Sequence, residues 1–239
     1  MLELRSSILA LTVGLFVATS ALSAPANVVT PRGAPILVEA QVPPGPGPFP
    51  AVVLAPGTGS MRQPLNDAVA ASLRQQGFAV FRFEWAYYVR DKGSTPSDTD
   101  RGPEIEELTT VVDLARADAR IDRARIFVGG KSRGSIIAWR VFRADPTLRG
   151  AVQLTPVCTK AGFTPAQLYP EIALETRPSL WVHGDVDPAC RSRTLHGFLA
   201  SAGERARSVG LRGDHGLSSA TTSALAGALT ADFVRSAAE

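Results

Sequence analysis

Gly130-Lys131-Ser132-Arg133-Gly134 decides how this chain is read, because of what stands on either side of it. Arg125-Ile126-Phe127-Val128-Gly129 precedes it, a short apolar run of the kind that forms a buried strand. Ser135-Ile136-Ile137-Ala138-Trp139-Arg140-Val141-Phe142-Arg143 follows, long and apolar enough for a helix packed on a sheet. Strand, G-x-S-x-G, helix is the context of a nucleophile elbow, a tight turn that lifts a serine hydroxyl above the end of a sheet. The backbone at such a serine is strained, and small residues two before and two after it let strand and helix pass closely. The pentapeptide alone arises by chance in roughly one chain of this composition in seven, so the argument rests on its flanks.

Outward from the elbow the chain alternates between strand and helix. Upstream, Ile36–Ala40 and Ala51–Ala55 are strand candidates joined by Pro43-Pro44-Gly45-Pro46-Gly47-Pro48, which suits a hairpin-like antiparallel edge. Leu65, Val69 and Leu73 lie at helical spacing in a segment closed by Gly77, and Phe78–Phe83 is the next strand. The polar stretch Asp91–Pro103 reads as an exposed loop before a helix over Glu104–Ala117. Downstream come strands at Gly150–Leu154, Leu180–His183 and Arg207–Leu211, and a last helix from Ser219 to Ala237. Short connections between alternating elements predict a mostly parallel sheet with helices on both faces.

The first 26 residues read as a leader. A short start with Arg5 precedes the uncharged run Ile8–Ala18, and Ala21-Leu22-Ser23-Ala24-Pro25-Ala26 offers small residues for cleavage between Ser23 and Ala26. The run is shorter than the ~20 residues a spanning helix needs, and no other segment is as apolar. An exported protein, periplasmic or secreted, with one domain over 27–239 and no membrane span after cleavage is expected. The net charge of +3 comes without a basic run, so nucleic acid is not expected as a partner.

An elbow serine needs a base to take its proton, an acid to orient that base, and N–H donors for the oxyanion. The acid follows the serine in sequence and the base comes last. There are three histidines. His183 ends an apolar strand, His196 lies in the helical stretch Arg191–Ala200, and His215 lies in Gly213-Asp214-His215-Gly216, between the last strand and the last helix. His215 is the candidate base. Gly184-Asp185-Val186-Asp187-Pro188 holds two candidate acids; Asp187 is preferred, with Asp185 bonding its own loop as the alternative. The oxyanion donors are expected to be the N–H groups of Arg133 and of Thr58 in Ala55-Pro56-Gly57-Thr58-Gly59-Ser60.

Through Ala55-Pro56-Gly57-Thr58-Gly59, Gly129-Gly130-Lys131-Ser132, Gly184-x-x-Asp187 and Asp214-His215-Gly216, the chain resembles the dienelactone-hydrolase-like branch of the α/β-hydrolase superfamily. It is most similar to a small family with Gly-Gly-[Lys/Arg]-Ser-Met-Gly elbows. The match runs over roughly residues 50 to 235. The resemblance implies an α/β-hydrolase fold with a minimal cap. Family members usually carry His where Pro56 stands and Met where Arg133 stands. Dienelactone hydrolases proper use Cys as nucleophile, so their specific activity is not carried over to Ser132.

In that fold Cys158 and Cys190 lie just past the ends of adjacent strands, and a disulfide between them is expected to fix the Asp187 loop. Arg133 has two readings, a reader of a substrate carboxylate or one half of a structural ion pair. Trp85, Tyr87 and Tyr88 either line an apolar pocket or pack the loop that follows them. No metal or cofactor is implied. The expected activity is hydrolysis of a small or polymeric carboxylic ester or thioester by a serine hydrolase. A peptidase of the same fold and a non-catalytic binding protein are the alternatives.

Overall fold

The structure is a computed structural model that describes residues 24–92, 94, 96–97, 99–160 and 162–239. Eight strands form one sheet: β1 (Ala26–Val29), β2 (Pro35–Gln41), β3 (Phe49–Ala55), β4 (Ala79–Glu84), β5 (Ile121–Lys131), β6 (Gly150–Leu154), β7 (Ser179–Gly184) and β8 (Ala206–Leu211). Their order is β1-β2-β4-β3-β5-β6-β7-β8. β1 and β2 run antiparallel to their neighbours, and every pair from β4 to β8 is parallel.

Side chains along the central strands alternate between two cores, as the two-residue period of a strand demands. In β3, Ala51, Val53 and Ala55 face one core while Val52 and Leu54 face the other; in β5, Ile126 and Val128 oppose Phe127. The first core is closed by α3 (Gly102–Ala117) and α4 (Arg133–Ala144), through Leu108, Val111, Ile137 and Trp139. The second is closed by α1 (Pro64–Gln75) and α7 (Ala220–Ala238), through Leu65, Val69, Leu73, Phe233 and Val234. This is the α/β-hydrolase architecture, a mostly parallel sheet covered on both faces.

The Pro-Gly segment does not close a hairpin. β4 lies between β2 and β3, pairing antiparallel with β2 (Leu37↔Glu84 to Gln41↔Val80) and parallel with β3. The reason is burial: Ala51 to Ala55 are all buried, so β3 needs hydrogen-bonding partners on both edges, and β4 and β5 supply them. β2 is displaced outward, where Arg82 of β4 reaches Glu39 of β2 at 3.0 Å.

No strand is expected at β1 from the sequence, where Ala26 falls at the end of the expected leader. Ala26 pairs with Val38; residues 1–23 of that leader lie outside the described residues. Among its described residues the excursion between β6 and β7 holds one short helix, α5 (Pro165–Leu168), and a single 3₁₀ turn, so the cap is small. Buried Tyr169 staples it to α4, its hydroxyl lying 2.8 Å from the Ser135 hydroxyl and accepting from the Val157 N–H at 2.9 Å. No described helix is long and apolar enough to cross a membrane.

Candidate active site

Ser132 stands between β5 and α4 at φ 53°, ψ −119°, a conformation costly for any residue with a Cβ. Its surroundings hold it there. The Ser132 N–H donates to Leu154 O at 2.9 Å, and its carbonyl accepts from the Ser135 N–H at 3.0 Å. The two elbow glycines are required by close approach. A Cβ on Gly130 would lie 2.8 Å from the Ser135 nitrogen, and one on Gly134 would lie 2.7 Å from Ala55 O. The turn is therefore clamped between the end of β3 and the first turn of α4.

His215 comes from the loop between β8 and α7, and Asp187 from the loop after β7. His215 Nε2 is 2.8 Å from Ser132 Oγ, and His215 Nδ1 is 2.8 Å from Asp187 Oδ2. The Asp187 carboxylate is buried, and its other oxygen accepts from the Ala189 N–H at 2.8 Å. The imidazole is about a third exposed, so the chain of three groups opens toward solvent at its serine end. Asp185 accepts from the Gly213 N–H at 2.9 Å, a bond within the loops. Buried His183 meets Ser192 Oγ at 3.0 Å and packs edge-on to His196 at 5.5 Å. Neither histidine joins the Ser132 group.

The disulfide Cys158–Cys190 is formed, with Cα atoms 4.5 Å apart. The Cys158 and Thr159 N–H groups both donate to Ala189 O at 2.8 Å, so the segment after β6 backs the loop that carries Asp187. Lys131, next to the serine in sequence, is buried, and among the described residues its ammonium has no hydrogen bond or ion pair. Burial pushes its ammonium pKa down, against the pull of Asp187 and Asp214, which favour the charge.

The loop after β3 abuts Ser132: a Cβ on Gly57 would lie 3.5 Å from Ser132 Cβ. Thr58, next in sequence, is exposed. Trp85 lies beneath this loop, fully buried, and its indole N–H donates to Pro56 O at 3.3 Å and Gly57 O at 2.8 Å. Tyr87, from the short helix α2 (Ala86–Arg90), donates its hydroxyl to Thr58 O at 3.1 Å. Tyr88 packs against the first core. Of the three aromatics, only Tyr87 borders a cavity of about 310 Å³, shared with Arg90, Ser97, Asp100, Glu104 and Glu107. Burial first, then Glu104, raises the Tyr87 pKa well above its ordinary value, with Arg133 opposing.

Arg133 resolves to the second of its two readings. Its Nε donates to Glu104 Oε1 at 2.6 Å, with both side chains about 5% exposed or less, and a second nitrogen donates to Ser97 O. The guanidinium thus ties the elbow to the N-terminus of α3 and to the polar loop before it. Glu104 and Ser97 were not singled out in the sequence. Glu104 carried one signal, a carboxylate in the first turn of a helix, which reads equally well as a dipole partner. Glu84 also went unremarked; it accepts from Ser60 Oγ at 2.6 Å and the Met61 N–H at 2.8 Å, pinning the far end of the loop after β3. Among the described residues no group of three or more His, Cys, Asp or Glu is arranged to hold a metal ion.

The fold is shared with many solved structures. The esterase domain of a Rhodothermus marinus protein superposes with a TM-score of 0.69 at 17% identity, covering 89% of this chain and 98% of that one. A Xanthomonas campestris α/β serine hydrolase without a lid gives 0.66 at 21% identity, covering 93% and 97%. A Klebsiella pneumoniae protein assigned as a dienelactone hydrolase gives 0.71 at 19% identity, covering 90% and 99%. No curated protein matches the sequence. The profile of the α/β hydrolase domain matches residues 49–238, from the first residue of β3 to the last of α7, and the chain belongs to that family.

Proposed function

We propose that this protein is an exported serine hydrolase that cleaves a carboxylic ester or thioester through an acyl-enzyme. The observation that carries the reading is the hydrogen-bonded chain Ser132 Oγ–His215–Asp187, 2.8 Å at each link. Ser132 Oγ attacks the carbonyl carbon while His215 Nε2 takes the hydroxyl proton. Asp187, buried and held by the Ala189 N–H, keeps the imidazole oriented and favours its charged form.

The oxyanion that forms is held by the N–H groups of Arg133 and Thr58. Arg133 is the first residue of α4, so its N–H has no acceptor within the helix and lies at the positive end of the helix dipole. Collapse of the tetrahedral intermediate breaks the bond to the leaving oxygen or sulfur, which departs with the proton from His215. Water then attacks the acyl-enzyme, losing its proton to His215, and release of the carboxylic acid restores Ser132. The small cap leaves the serine open, which suits short-chain or polymeric esters. Export fits the disulfide and the leader-like start.

The test is intact mass after treatment with a fluorophosphonate, wild type against Ser132→Ala. A single adduct on wild type, absent from the variant, is expected. Folded wild-type protein that takes no adduct would refute the reading and leave a binding role. Turnover of p-nitrophenyl esters but not of aminoacyl p-nitroanilides separates the ester hydrolase from a peptidase.

A further inference from the structure

Three consecutive carbonyls of the loop beside the nucleophile, those of Pro56, Gly57 and Thr58, all accept hydrogen bonds from two side chains, Trp85 and Tyr87. A trans peptide is planar, with its C=O and the following N–H pointing in opposite directions. The only cis bond among the described residues is Gly47–Pro48, so Gly57–Thr58 is trans. Holding Gly57 O against the indole therefore turns the Thr58 N–H away from it. The holder is rigid: the Trp85 ring is fully buried and meets Phe83 edge-on at 4.6 Å. Its backbone is fixed in turn, because the Ala86 N–H donates to the buried Glu107 carboxylate at 2.9 Å.

We propose that Trp85 and Tyr87 are positioning residues that set the direction of the Thr58 N–H, and so pre-form one half of the oxyanion site. The inference rests on the hydrolase reading above. It also replaces the pocket-lining role for Trp85, which is fully buried and whose indole N–H is spent on the loop backbone, while Tyr87 keeps one edge on the cavity. An oxyanion donor contributes most when it is aimed before the charge develops. Gly57 and Gly59 flank Thr58 without a Cβ, so the peptides on either side rotate readily. The direction must then be imposed from outside, and the indole and phenol hydrogen bonds impose it.

The test compares full-length wild type, Trp85→Phe, Trp85→His and Tyr87→Phe on p-nitrophenyl acetate across pH. Losing an oxyanion donor outright costs about 10²- to 10³-fold in kcat, so freeing its peptide in Trp85→Phe is expected to cost about 10- to 10²-fold. KM should change by less than about twofold, and the pH midpoint should hold, since His215 and Asp187 are untouched. Histidine places Nε2–H at the ring position of the indole N–H. Trp85→His should therefore recover most of the lost kcat, although it leaves the larger void. Tyr87→Phe removes one hydroxyl at a half-buried position and should cost about threefold in kcat; it carries the test if the Trp85 variants do not fold.

A folded Trp85→Phe within about threefold of wild-type kcat overturns the proposal, as does a raised KM with kcat unchanged, which would put the ring against substrate. If neither Trp85 variant folds, unchanged kcat in Tyr87→Phe overturns it. Wild type that neither turns over ester nor takes a fluorophosphonate overturns the hydrolase reading instead, and the positioning role with it.

Discussion

Cutting the Arg133–Glu104 pair is the sharpest test of how the elbow is held. Both side chains are about 5% exposed or less, with 2.6 Å between Nε and Oε1. At an effective dielectric constant near 20, two charges about 4 Å apart attract by about 4 kcal/mol. Burial cost both groups their hydration, so the intact pair contributes less than that net. Removing one partner strands the other, at about 3–5 kcal/mol. Arg133→Met and Glu104→Gln are each expected to lose about 3 kcal/mol in urea unfolding at pH 7.5, with unchanged m-values. The double variant strands nothing, so its loss should fall short of the sum by about 2–3 kcal/mol. Losses under about 1 kcal/mol for each single variant, or strict additivity, would reduce the pair to an ordinary surface contact and refute the reasoning. A second readout concerns specificity. Because the guanidinium is committed to Glu104 and Ser97, Arg133→Met should keep the wild-type ratio of kcat/KM between neutral and carboxylate-bearing esters. A selective loss of about tenfold on the anionic ester would show that Arg133 reads substrate charge after all.

Other perturbations read other parts of the frame. Gly134→Ala puts a Cβ 2.7 Å from Ala55 O, a backbone atom that cannot swing aside. The loop beside the nucleophile must then move, and kcat should drop by at least about 10²-fold with a lowered Tm; near-normal kcat would mean the elbow is looser than its contacts suggest. Reducing Cys158–Cys190, 32 residues apart in sequence, or replacing both by Ser, should cost about 3–4 kcal/mol in denaturant unfolding. No change in midpoint would contradict this. Burial raises the Glu175 pKa, but hydrogen bonds from Arg177 and Arg143 outweigh it and bring it down to about 2. A carboxylate lowered on folding stabilises fully above its unfolded value near 4.5, and the contribution is lost as pH falls toward 2. It amounts to at most about 3 kcal/mol. The stability gap between wild type and Glu175→Gln should therefore begin to narrow below about pH 5 and close only near pH 2, and parallel unfolding curves from pH 6 to pH 2 would refute the assignment.

What could be read from the sequence is what the chain encodes locally. Strand, tight turn and helix are contiguous around Ser132, so their order and apolar periods were visible without knowing the fold. The same holds for α1, α7 and the central strands, whose bounds differ from the reading by about two residues or less at most ends. Ser132, Asp187 and His215 were singled out by their positions relative to those strands, and the distances bring them into one hydrogen-bonded chain. The antiparallel edge is present, but its pairing differs from the hairpin expected, for the opposite reason. Pro43 to Pro48 makes a plausible hairpin turn by composition, but strand pairing is decided by what the buried edge of β3 requires, and that is met by β4, about thirty residues further on.

The same distinction explains why the polar residues around the elbow were ambiguous or missed. An arginine after a nucleophile has one chemistry and two destinations; only the arrival of α3 beside α4, which brings Glu104 29 positions away to 2.6 Å, selects between them. Trp85 is similar. Its apolar area and its N–H both suit a substrate pocket, but the ring is packed in the first core and the N–H goes to the loop after β3, 28 residues earlier. A buried polar atom must find a partner, but sequence does not say which one. Hence the residues proposed to do the chemistry are more legible in sequence than those proposed to aim them. The former must be of particular types in a fixed order, while the latter need only a donor or a charge in the right place, which many residues supply. For this chain that makes the glycine-flanked loop, rather than the triad, the place where variants should separate positioning from chemistry. Its N–H direction is set by Trp85 and Tyr87, while nothing in the Ser132–His215–Asp187 contacts depends on either.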